Sequence, residues 1–302
     1  MPNPSPTPQK SIGLAVLVFG QLAIGSAALM ARVGLDAGLG PIPLATWRLS
    51  IAASCIVIAM AIFRQTQYKI PRNGGMLVIA GVCLGLHFVT WFESLNHISI
   101  AISTLLVCTS PVWAGIAEAL FFKKKPSRSF WIGLALAFVG LSIVSLSSAQ
   151  TARGSVALGC MWALLGALFI VAYMFLTQRS QVELGTWRTV GWTYSSAAIS
   201  LWVVALFLTP KAIVPQVPAA WGSVIGMALF AQLIGHTSMN WALKHFSAGI
   251  VGVAMLLEPV FAAGLAWPIF GEPISLVQGI GAVVLLGGVG VVLGRQASES
   301  GS

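Results

Sequence analysis

Leu95-Asn96-His97-Ile98-Ser99-Ile100-Ala101-Ile102 and Leu243-Lys244-His245-Phe246-Ser247-Ala248-Gly249-Ile250 carry the same leucine, histidine, serine and isoleucine at a constant offset of 148 residues. The offset holds further along the chain. Pro111 meets Pro259, Phe122 meets Phe270, Ile132 and Gly133 meet Ile280 and Gly281, and Gly140 meets Gly288, so that 82–144 is written again as 230–292. The front halves share their own marker, Thr46-Trp47-Arg48 recurring as Thr186-Trp187-Arg188. Each copy holds five apolar segments of membrane length, and an odd number of spans turns the second copy upside down.

With 57% hydrophobic and only 8% charged residues among 302, the chain cannot cover itself for water. About 20 apolar residues at 1.5 Å rise cross the roughly 30 Å hydrocarbon layer. Ten such segments lie near 12–33, 42–63, 74–95, 99–120, 130–149, 154–178, 185–209, 219–242, 248–270 and 274–294. The expected fold is therefore an all-α integral membrane protein of ten transmembrane helices arranged as two inverted five-helix repeats. The repeats cover 12–149 and 150–294, between a disordered N-terminal tail (1–11) and a C-terminal tail (295–302). Inverted repeats of helices are the architecture in which a carrier exposes one midplane site to each side in turn.

The net charge of +9 does not point to nucleic acid, because the basic residues sit in short loops between apolar spans, where they set topology. A cytoplasmic N-terminus places Lys10, Arg64, Lys69, Arg72, Lys123, Lys124, Lys125, Arg128, Arg179, Arg188, Lys244 and Arg295 inside, and Arg32, Arg48, Arg153 and Lys211 outside. Twelve against four puts both termini in the cytoplasm. Cys55, Cys83, Cys108 and Cys160 lie within spans without CxxC spacing, so no metal, cofactor or disulfide framework is expected. The Pro-rich start, Pro2 to Gln9, reads as a tail before an uncleaved first span. Every loop is too short for a soluble catalytic domain.

Small residues at intervals, such as Gly81 and Gly85, Gly133 and Gly140, Gly159 and Gly166, and Gly281, Gly288, Gly290 and Gly294, predict close helix packing. The fifth and tenth spans, poor in polar residues, read as supports. Pro111 and Pro259 sit mid-span and free the carbonyls of Val107 and Met255, which makes both a candidate bend or gate as well as a merely structural kink.

Four residues of the third span, His87, Thr90, Trp91 and Ser94, share one helical face at i, i+3, i+4 and i+7. In the eighth span Gln232, His236 and Asn240 repeat at i, i+4 and i+8. Such stripes either bond between helices or line a cavity. Glu258, beside Pro259, is an acidic residue deep in the ninth span, with Ser110 in the same slot of the first copy. It has three readings: contact with a substrate ammonium, proton exchange, or a bond to the carbonyl that Pro259 frees. Trp91, Trp113, Trp162 and Tyr173 lie deep enough to stack on a substrate, Thr177 shares Tyr173's face, and Trp47, Trp131, Trp187 and Trp221 mark span ends. His97 and His245 recur at helix junctions as caps or interface residues.

The stretch Thr109-Ser110-Pro111-Val112-Trp113 to Phe122-Lys123-Lys124-Lys125-Pro126, with its partner Leu257-Glu258-Pro259-Val260-Phe261 to Phe270-Gly271-Glu272-Pro273-Ile274, resembles the drug/metabolite transporter superfamily. The likeness is to its ten-helix, two-repeat, EamA-type branch, over about 12–294. One departure is Lys124, which stands where the second copy has Glu272. The resemblance implies a multi-pass protein of the bacterial inner membrane exporting small metabolites, amino acids foremost, as the similar aromatic amino acid exporters do. Exporters of another metabolite or drug class fit the same pattern. A channel would ring its pore with charges, and an intramembrane enzyme would need an aspartate pair or a HExxH motif. The chain has neither, Asp36 being its sole aspartate, so it does not read as an enzyme. Expected partners are a small-molecule substrate, an amino acid first, and the lipid bilayer, with proton coupling and oligomeric state left open. The expected substrate-binding set is His87, Thr90, Trp91, Ser110, Tyr173, Gln232, His236, Asn240 and Glu258.

Overall fold

A computed structural model of the protein describes residues 8–63, 74–123, 126–147, 154–270 and 274–298. Among these residues there is no strand, and ten helices are long and apolar enough to cross a membrane. They are α1 (Ile12–Asp36), α2 (Pro41–Ile62), α3 (Gly74–His97), α4 (Ile100–Phe121), α5 (Arg128–Leu146), α6 (Val156–Glu183), α7 (Thr186–Leu208), α8 (Pro218–Ala242), α9 (Ala248–Pro268) and α10 (Leu276–Arg295). The first and last helices overrun the expected spans, starting at Pro8 and ending at Ser298. Arg64, Lys69, Arg72, Lys124, Lys125, Arg153 and Glu272 lie outside the described residues.

Packing follows a pseudo-twofold relation between the copies. Helix α3 runs along α6 just as α8 runs along α1, α2 packs on α7, and α5 pairs with α10. The α5–α10 seam shows why its glycines are needed. A Cβ at Gly133 would lie 2.7 Å from the Gly288 carbonyl oxygen, and one at Gly281 would lie 2.9 Å from that of Gly140. These two pairs exchange under the 148-residue offset, so the seam is self-complementary. Gly159 and Gly166 bring α6 onto α3, but among the described residues no atom lies within 4 Å of a Cβ position at Gly290 or Gly294.

The repeated sequence motif at 99–102 and 247–250 is a helix start. Ser99 Oγ accepts from Ile102 N at 3.3 Å and Ser247 Oγ from Ile250 N at 3.4 Å, which is the N-cap bond that orients α4 and α9. His97 ends α3, and His245 follows the end of α8. His97 Nε2 lies 3.4 Å from Glu93 Oε1, and the His245 ring packs on Trp241. The turns into α2 and α7 each carry one glycine at positive φ, Gly38 at 84° and Gly185 at 80°, a conformation that a Cβ disfavours.

Both proline helices break where expected. Helix α4 stops at Val107 and restarts at Ser110, and α9 stops at Met255 and restarts at Glu258. The two breaks cross in the middle of the molecule, where a Cβ on Gly252 would meet Pro111 Cα at 3.1 Å. The carbonyl of Met255, freed by Pro259, lies 3.9 Å from the Cys108 thiol, a weak donor.

Gly140→Leu is expected to overfill the α5–α10 seam, costing about 1–3 kcal/mol. It should clearly lower the melting temperature of the detergent-purified protein, whereas Gly290→Ala, with no neighbour to displace, should leave it unchanged or slightly raised.

Candidate functional site

The breaks in α4 and α9 place two half-helix starts, Ser110 and Glu258, near the crossing, and both side chains are buried. Around them α3 and α8 bring in their polar stripes. Helix α8 is wound as an ordinary α-helix only from Pro218 to Gly226 and from Thr237 to Ala242, and Met227–His236 between them is π-helical. This wider winding leaves Thr237 N bonded to the Gln232 carbonyl five residues back. Such stretches recur at functional sites because they re-aim side chains. Here Gln232 and His236 turn inward, and Gly235 comes against α1, a Cβ there meeting the Gly20 carbonyl oxygen at 3.1 Å.

The two stripes meet. His87 and His236 ring centroids are 6.4 Å apart, His236 stands edge-on to Phe88 at 5.2 Å, and Trp91 stacks on His87 at 6.1 Å with 17° between planes. Phe88 and His236 are equivalents under the 148-residue offset, so this contact lies at the pseudo-twofold axis. His87 is anchored to α6 through Nδ1 and the Gly166 carbonyl at 2.9 Å.

Asn240 is a knot between helices. Its Oδ1 accepts from the Tyr173 hydroxyl and from Gln181 Nε2, both at 2.9 Å, and its Nδ2 donates to the His236 carbonyl at 2.8 Å. Thr90 donates back to the Leu86 and His87 carbonyls and sits at the seam with Gly166, so its hydroxyl hydrogen is already committed.

The residue at the centre is one that the loop-charge count had placed outside. Arg48 lies two turns inside α2 and is fully buried. Its Nε donates to Gln232 Oε1 at 3.0 Å, and its guanidinium carbon sits 3.9 Å from the Phe88 ring centroid. Arg188, its partner in the repeated Thr-Trp-Arg motif, is in the first turn of α7 and only half-buried. The motif therefore recurs in sequence without structural equivalence. Helix starts Pro41 and Thr186 are 145 residues apart, but the two motifs only 140.

Residues 11–146 and 157–294 each match the family described as EamA-like transporter family. The chain belongs to that family. Among curated proteins, the pseudopaline exporter CntI of Pseudomonas aeruginosa is 27% identical over 228 residues, 75% of this chain and 76% of the relative. A probable terminal-alkyne amino-acid exporter of Streptantibioticus cattleyicolor is 24% identical over 289 residues, 89% and 91% of the two chains. An uncharacterized transporter of Bacillus subtilis, YwfM, is 26% identical over 263 residues, 83% and 84%. One solved crystal structure superposes with a TM-score of 0.76 at 17% identity, covering 93% of this chain and 96% of that one, and so shares its fold.

Within this EamA-like transporter, His87, Trp91, Gln232 and His236 come together, with Ser110 and Glu258 at the adjoining helix breaks. Tyr173, Gln181 and Asn240 form the α6–α8 tie beside them, and Thr177 bonds back to its own helix. Trp113 does not join them. It is 37% exposed, and its indole donates to Thr109 Oγ1 on its own helix. Besides Arg48, the residues that sequence reading missed are Gln21 of α1, Gln181 of α6 and Tyr194 of α7, all fully buried. Each lies inside an apolar span, which is itself the signal for a functional or bonded polar group. Glu118 was missed as well. It is a second buried acid, in the last turn of α4, and its Oε1 accepts from Gly249 N at the start of α9 at 3.0 Å.

Asn240→Ala strands two buried donors, Tyr173 and Gln181, each at about 1–3 kcal/mol. Tyr173→Phe removes a donor and leaves Asn240 bonded to Gln181. Thermal unfolding in detergent should therefore show the asparagine variant as clearly the less stable of the two.

Proposed function

We propose that this transporter exports small amino-acid-like metabolites by alternating access around the α3–α8 site. The observation that supports this most is the set of buried polar atoms at the contact of the two repeats that find no protein hydrogen-bond partner among the described residues. They are Arg48 Nη1 and Nη2, Gln232 Nε2, His236 Nδ1, Trp91 Nε1 and Ser110 Oγ. In hydrocarbon such groups are costly unless they face a cavity or a ligand. Aromatic rings of Phe88, Trp91, His87 and His236 supply an apolar wall beside them. The relatives named as exporters, one of them for an amino acid, favour outward movement of an amphipathic metabolite.

Orientation follows from the loop charges with Arg48 removed from the outer group, leaving twelve basic residues inside and three outside in favour of cytoplasmic termini. In that orientation the bonded α4–α9 contact, Glu118 to Gly249, lies on the cytoplasmic side. The chain has no phosphate-binding P-loop motif, so the reading is a secondary transporter. Glu258 is the candidate proton carrier; the charge whose field reaches it is the Arg48 guanidinium of α2, and its own field reaches the Cys108 thiol of α4.

In liposomes loaded with unlabelled amino acids, counterflow of labelled phenylalanine, methionine or threonine is expected to saturate. It should be lost in a Trp91→Ala, His236→Ala double variant that still elutes as a folded monodisperse peak. Flux rising linearly with concentration would instead indicate a channel. Glu258→Gln is expected to abolish the pH dependence of net flux while sparing counterflow, and an unchanged pH profile would remove Glu258 from proton transfer.

A further inference from the structure

We infer that Arg48 is the carboxylate-holding group of this transporter, so that its substrates carry a carboxylate, a specificity that rests on the α3–α8 site being the transport site. The guanidinium is fully buried, two turns from the nearest helix end. Among the described residues it makes one hydrogen bond, from Nε to Gln232 Oε1, and no carboxylate pairs with it at salt-bridge distance. Nη1 and Nη2, the two nitrogens of the fork, have no protein acceptor. That fork matches the two oxygens of a carboxylate in a bidentate pair, and arginine keeps its charge across the physiological pH range. A cation so placed is costly until an anion arrives.

Its neighbours reinforce the preference for an anion. Because Arg48 can only donate, the oxygen of the Gln232 amide must face it, which turns Nε2 away as a further unanswered donor. Trp91 Nε1 is a third donor without a partner. Unanswered groups that can only donate thus cluster on α2, α3 and α8, while the face of Phe88 lies under the guanidinium and fixes its plane. Glu258, whose field reaches Arg48, does not pair with it at salt-bridge distance and so leaves the fork open to a ligand. Arginine for the carboxylate, with the rings of Phe88, Trp91, His87 and His236 beside it, describes a site for a carboxylate that carries an apolar or aromatic side chain.

The test uses the purified full-length protein and matched ligands: phenylalanine, its amide, its methyl ester and 3-phenylpropionate, each read by concentration-dependent thermal stabilisation and by competition in counterflow. Wild type is expected to bind the two carboxylates at least tenfold more tightly than the amide or ester. Arg48→Gln should erase that discrimination, and Arg48→Lys, which keeps the charge but loses the fork, should fall between. Equal binding of acids and amides by wild type would overturn the inference, without need of any variant. So would a folded Arg48→Gln protein that still prefers the acids, or a wild type that binds none of the carboxylates. If 3-phenylpropionate binds in an Arg48-dependent way and phenylalanine does not, the carboxylate assignment stands and the amino-acid reading falls.

Discussion

Hydrocarbon offers no hydrogen bond, and that constraint governs this molecule more than any single contact. Each polar group on the ten spans must be answered by its own helix, by another helix or by the interior. Thr90 and Thr177 take the first course, bonding back to carbonyls three and four residues earlier. Asn240, Tyr173 and Gln181 take the second and tie α6 to α8. Arg48, Gln232, His236 and Trp91 are left for the third, and they sit together where the inverted repeats meet. The candidate site is thus where unanswered groups gather, although single ones such as Gln21 of α1 and Thr104 of α4 lie elsewhere.

Most of the architecture was legible because it rests on patterns that survive as sequence. Segment length and hydropathy gave ten spans, the constant offset gave the inversion, and Pro111 and Pro259 marked both helix breaks. The repeated glycines of α5 and α10 announced a seam whose two halves exchange under the same offset. The Ser99 and Ser247 caps were visible as repeated residues, though not as caps, because capping depends on the backbone leaving the helix at that point.

What stayed hidden is set by geometry that no spacing reports. Arg48 reads as a loop charge in a list of basic residues, and only its position two turns inside α2 makes it the centre of the site. The stripe Gln232, His236 and Asn240 was found on α-helical spacing, yet part of it lies on a π-helix, and Asn240 faces the α6 tie instead of the arginine. Trp113 shares the depth of Trp91 but points outward, since depth along a helix says nothing about rotation about it.

The copies are alike in backbone and unlike in chemistry. Glu258 stands opposite Ser110, and Glu118 has Ala266 in its place in the second copy. In an ideal two-copy carrier, the inward- and outward-open forms would be mirror exchanges of the same two half-conformations and equal in energy. The Glu118–Gly249 bond joins α4 to α9 at one end of their crossing, and an alanine has nothing to offer at the other. A hydrogen bond contributes roughly 1 kcal/mol net to the arrangement of helices that makes it. One carboxylate at a helix end therefore makes the two ends of the α4–α9 crossing unequal, and the duplicated backbone does not impose equal energies on them.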